Sequence, residues 1–166
     1  MKRLSLILIL ISLVLTSCEF YEPIENDTTR TIIDIQTLFY GFQTESKTDD
    51  VNYIILSNRN EARYFLEQYL SEWSEDHILL TTNYSNILVI GAFTGAKPNN
   101  SYSIKIDSIK ITRNTNQVFV TERGSSSGRQ IIVWPAHFII IMKEELGNRS
   151  TIFNLTRKCE LEPCVW

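Results

Sequence analysis

The stretch from Phe93 to Met142 constrains the fold more than any other part of the chain. It holds the densest β pattern, with turn chemistry at its start and again near its end. Tyr102, Ile104 and Ile106 alternate with polar neighbours, and the apolar phase then shifts to Ile109 and Ile111. Alternation at period two is the signature of a half-buried strand, and a phase shift within it predicts a bulge near Asp107-Ser108. Asn114-Thr115-Asn116 supplies a hairpin loop into Gln117 to Thr121, where Val118 and Val120 alternate. Gly124 to Gly128 is a loop. Gln130 to Trp134 and His137 to Met142 are two further strand runs separated by Pro135.

Upstream, Thr31 to Phe42 is rich in Ile, Thr, Phe and Tyr and suits a first strand; Val51 to Leu56 and Asn86 to Phe93 are two more. One helix is predicted from Arg59 to Trp73. Asn58 stands as its cap, with Glu61 three residues on, and Ala62, Phe65, Leu66, Tyr69 and Leu70 form one apolar stripe. An edge strand at Thr151 to Leu155 follows a turn around Gly147-Asn148. This order predicts an α+β fold, a mostly antiparallel sheet of about seven strands with one amphipathic helix packed on it.

The N-terminus is a targeting segment. Lys2 and Arg3 precede an apolar run from Leu4 to Leu15, which is 12 residues and too short to span a bilayer comfortably. Leu15-Thr16-Ser17-Cys18 follows and resembles the lipobox of bacterial lipoproteins. That resemblance implies a signal peptide over residues 1–17, cleavage before Cys18, and acylation of Cys18 as the membrane anchor. Two or more acyl chains make such an anchor stable. Residues 18–30 then form an acidic tether with Glu19, Glu22, Glu25 and Asp27, leaving 31–166 as a single domain. The acidity suits a solvated spacer, and it also resembles a surface-display signal. Glu19 stands where an aspartate would resemble an inner-membrane retention signal, so the expected location is the outer membrane or cell surface.

Loss of Lys2 and Arg3 leaves 14 basic against 19 acidic residues, a mature net charge of about −5. This balance, with no basic cluster in the sequence, argues against a nucleic-acid partner. In an exported chain the even pair Cys159 and Cys164 suggests a disulfide. A metal site there would need two more ligands, and the chain has only His77 and His137 to add.

The segment from 88 to 143 carries three short motifs: Gly95-Ala96-Lys97-Pro98, Ser101-Tyr102-Ser103-Ile104-Lys105-Ile106 and Pro135-Ala136-His137-Phe138-Ile139-Ile140. Together they resemble the C-terminal domain of the PrcB family, lipoprotein subunits of a surface protease complex. Ser101 stands where the family pattern has glycine. The resemblance implies an accessory protein that supports or docks with a protease and has no catalytic residues of its own.

The residues agree with that expectation. Acyl transfer needs a nucleophile, a base and an oxyanion site in mutual reach, and His137 is the one plausible base. It lies in a strand apolar on both faces, the pattern of a buried central strand, so a hydrogen-bonded core or rim role is expected. His77 reads as a surface or boundary residue. No P-loop, dinucleotide fingerprint or zinc motif is present, and no cofactor is expected. Candidate partner contacts are Lys97, Pro98, Asn99 and Asn100, within the loop running on to Ser101, and Trp134 with Pro135. Competing expectations are a binding protein for a small ligand or cell-wall component, and a protease inhibitor.

Overall fold

The computed structural model describes residues 29–32, 34–42, 47–161 and 164, and shows a three-layer α+β arrangement. The expected signal peptide, the expected lipidation site Cys18 and most of the expected acidic tether lie outside the described residues. In chain order the strands are β1 (Arg30–Ile32), β2 (Gln36–Phe42), β3 (Asn52–Leu56), β4 (Ile87–Phe93), β5 (Ser103–Ile111), β6 (Thr115–Gly124), β7 (Pro135–Met142) and β8 (Ser150–Cys159). Among the described residues three helices accompany them: α1 (Arg59–Tyr69), α2 (Ile78–Thr81) and α3 (Lys143–Leu146).

The strands make two four-stranded sheets, in the orders β1-β5-β6-β8 and β2-β7-β4-β3. This corrects the expectation of one sheet of about seven strands with one helix. The physical reason lies in the first run, Thr31 to Phe42. It breaks around Asp34, so β1 joins β5 in one sheet while β2 joins β7 in the other. Pairing is antiparallel except between β6 and β8, which run parallel over ten residues. The bulge falls where the phase shift placed it, between Ile106 and Ser108.

Alternation of the strands builds two cores. Ile90, Ala92, Ile139 and Ile141 face Ile104, Ile106, Ile109, Val118 and Val120 between the sheets. On the other side of the second sheet, Val89, Phe93, Ala136 and Phe138 meet Ala62, Phe65, Leu66 and Leu70 from the helical layer. β7 is therefore covered on both faces, which explains its unbroken apolar pattern. Gly91 sits opposite Phe138 in the ladder, and a Cβ there would come within 2.4 Å of that ring. Its lack of a side chain gives the ring room against β4.

Helix α1 starts as expected and stops earlier, at Tyr69. Asn58 Oδ1 accepts from Glu61 N–H at 3.0 Å, and the returning bond goes one residue back: Glu61 accepts from Ser57 N–H at 2.6 Å. Both bonds satisfy donors that a helix start leaves open. The chain's end closes with a Cys159–Cys164 disulfide just past β8. There Glu160 N–H donates to Gly124 and extends the contact with β6.

Candidate docking surface

From Ala96 to Asn100 the chain alternates out and in. Ala96, Pro98 and Asn100 are exposed, whereas Lys97 and Asn99 are buried. The Lys97 ammonium lies 2.9 Å from a Glu122 carboxylate oxygen, with side-chain exposures of only 3% and 1%. Glu122 arrives there because it continues the inward face of β6 after Val118 and Val120. Its other oxygen receives Arg157 Nε at 3.0 Å, and the same guanidinium reaches Asp50 at 2.9 Å. The Tyr102 ring lies 5.8 Å beneath the Lys97 charge. A charge taken out of water must be paired, and this chain of four charged groups does so at one end of the sandwich. Glu122 Oε1 meets Lys97 as an ion pair without a hydrogen bond, and Oε2 accepts from Arg157.

Asn99 completes the inner side of the loop. Its Nδ2 donates to the Ser125 carbonyl at 3.0 Å and its Oδ1 accepts from Ser101 N–H at 3.0 Å. The Ser101 hydroxyl donates to the same Ser125 carbonyl at 2.6 Å, a bond that glycine at this position could not make. The side chains of Lys97 and Asn99 are thus internal struts, and they are withdrawn as partner contacts. Pro135 is withdrawn too, since it opens β7 opposite Phe42 and is buried. Pro98 and Asn100 stay exposed, and Trp134 is half-buried.

The structure brings the two candidate stretches together. Lys97 and Val133 exchange both backbone bonds, at 2.8 and 3.0 Å. Asn100 N–H donates to the Arg129 carbonyl at 3.2 Å, and Arg129 N–H donates back to Asn100 Oδ1 at 2.8 Å. A Cβ at Gly128 would fall 2.6 Å from Asn99 Oδ1, so this close approach requires glycine. The expected strand Gln130 to Trp134 is reduced to the single bridge at Val133. Ile131 and Ile132 are left 42% and 64% exposed on the joined loops. Sequence reasoning placed these two isoleucines inside a strand. The contrary signal was their adjacency without alternation, in a run closed by Pro135.

His137 projects from β7 toward the other sheet. Its Nδ1 accepts the Ile106 N–H at 2.8 Å, a donor left over where β1 ends and β5 loses its neighbour. The ring proton is therefore on Nε2, which donates to Thr37 Oγ1 at 3.1 Å. Tyr40 stands edge-on to the ring at 5.2 Å. Burial, aided by Lys105 and opposed by Asp107, pulls the imidazole down to about 4. Nδ1 thus ties β7 to the other sheet through Ile106, while Nε2 is held within its own sheet by Thr37 of β2. His77 is a boundary residue that caps α2, accepting Leu79 N–H at Nδ1, and burial lowers its pKa.

Among the described residues no three His, Cys, Asp or Glu side chains converge at metal-ligating reach. A cleft of about 310 Å³ opens beside the joined loops, lined by Tyr40, Asn100, Ser101, Tyr102 and Ile104 among others. Comparison with protein-family models, with curated proteins and with solved structures finds no significant match. The likeness of residues 88–143 to the PrcB family stays with its three short motifs.

Proposed function

We propose that the chain is an exported, lipid-anchored, non-catalytic accessory protein. In this reading acylated Cys18 holds it at the outer membrane or cell surface, and the joined loops dock a partner protein such as an exported protease. The observation that carries the docking half is the exposure of Ile131 and Ile132 on a loop tied by four hydrogen bonds to residues 97 and 100. Apolar side chains held still at a surface lose little conformational entropy on binding, and loops on a rigid sheet commonly carry recognition. Pro98, Asn100 and Trp134 border them.

Affinity purification from solubilised membranes tests this. Wild type should retain one dominant protein at physiological salt, and Ile131→Asp with Ile132→Asp should lose it without loss of folding. Equal retention by the variant rejects the surface. The cleft beside Tyr40 supports a second reading, a small polar ligand or cell-wall fragment, since its volume is at the lower end for such sites and its lining mixes rings with hydroxyls.

A further inference from the structure

Among the described residues no layer packs on the outer face of the β1-β5-β6-β8 sheet, and its charge opposes that of the chain as a whole, which is −3. The ladder register sets its outward side chains in rows. Lys110, Gln117 and Ile152 form one, Ser108, Phe119 and Asn154 the next, then Lys105, Thr121 and Thr156, and last Ser103, Arg123 and Lys158. Lys105, Arg123 and Lys158 are exposed, and Lys110 is half-buried. Two described carboxylates stand against these four cations. Asp107 is held by the Thr121 hydroxyl at 2.5 Å, and Glu160 lies 3.7 Å from Arg123.

The helical layer on the far side is acidic. Glu61, Glu67, Glu72, Glu75 and Asp76 outnumber Arg59, Arg63 and Lys47 there. The molecule is thus a plate with a basic side and an acidic side. Strand spacing puts the cations over an area of roughly 20 by 10 Å, with short hydroxyl and amide side chains between them. A flat array of spread charges matches a plane of phosphates better than a single bound anion. The chain also enters the fold at this sheet, because β1, its edge strand, follows directly on Thr29.

We propose that this face lies on the anionic phospholipid headgroups of the membrane to which the chain is tethered. The inference takes its membrane from the lipid-anchored reading above, but its chemistry needs no anchor. All described structure falls between residues 29 and 164, so residues 18–166 carrying Cys18→Ala keep it. That protein is mixed with vesicles of phosphatidylcholine alone and of phosphatidylcholine with phosphatidylglycerol, and the bound fraction is measured by sedimentation.

Binding is expected to the mixed vesicles only, weakening as salt is added. Each basic residue near an anionic surface contributes about a fivefold gain, so Lys105→Gln with Lys158→Gln should lower partitioning roughly 25-fold. Both side chains are exposed, and the unfolding midpoint should not move. Equal binding to the two vesicles, or binding that survives the double substitution, overturns the assignment. Absent vesicle binding combined with loss of a co-purified protein in the same variant would give the face to an acidic protein instead. Since the probe lacks the anchor, failure here leaves acylation of Cys18 standing, and failure of acylation leaves vesicle binding standing.

Discussion

Lys97→Ala is expected to destabilise the fold by about 3 kcal/mol, the low end of the cost of breaking a buried ion pair. The substitution leaves Glu122 almost fully buried with one cation in place of two. Arg157 remains at 3.0 Å and holds the loss at that end of the range. The double variant Lys97→Met with Glu122→Leu should recover most of the stability, because both buried charges go while the volume is kept. Arg157, 38% exposed, then retains Asp50 and solvent. Denaturant unfolding of the wild type, the two single variants and the double variant gives the coupling between the sites. A cost below about 1 kcal/mol for Lys97→Ala would mean that the charge is not buried in solution.

The second large effect is a loss of stability in mild acid through His137. Its folded pKa of about 4 lies below the ordinary 6.5 because burial penalises the imidazolium and Lys105 repels it, with Asp107 opposing. The unfolded chain therefore takes up a proton that the folded protein refuses over that interval. Stability from this residue is complete above pH 6.5 and falls as the pH drops to about 4, in total by about 3 kcal/mol. Protonation at Nδ1 would also remove the acceptor for Ile106 N–H. Comparison of unfolding free energy against pH for wild type and His137→Asn isolates the effect, because the Asn side-chain oxygen can still accept that bond. Asp50, Glu61 and Glu75, all with lowered pKa values, and His77 contribute equally to both curves. The wild type should lose more stability than the variant on acidification; parallel curves would contradict the assignment.

The strands β5, β6 and β7 were legible because period two reports on one strand and its two faces. The bulge after Ile106 and the double-sided burial of β7 came from the same signal. Which sheet each strand joins was not legible, since the break near Asp34 follows from pairing partners far away in sequence. The character of Lys97 was missed for a related reason. A lysine between alanine and proline, followed by two asparagines, has the composition of a solvated turn, yet its partner is set by the inward phase of β6. Val118, Val120 and Glu122 share that phase, and a carboxylate on a core face calls for a cation. That clue was present, but a strand ended at Thr121 leaves Glu122 outside it. Ile131 and Ile132 were absorbed into a strand because a short apolar run has the same composition whether or not it finds an edge to pair with.

Incorporation of a labelled fatty acid into the full-length chain, compared between wild type and Cys18→Ala, tests the lipid-anchored reading most directly. Cys159 and Cys164 are bridged to each other, which leaves Cys18 as the one cysteine free to be acylated. The account predicts label in the wild type, none in Cys18→Ala, and a mature chain beginning at Cys18. Label that persists in Cys18→Ala, or a wild-type chain that carries none, would contradict it.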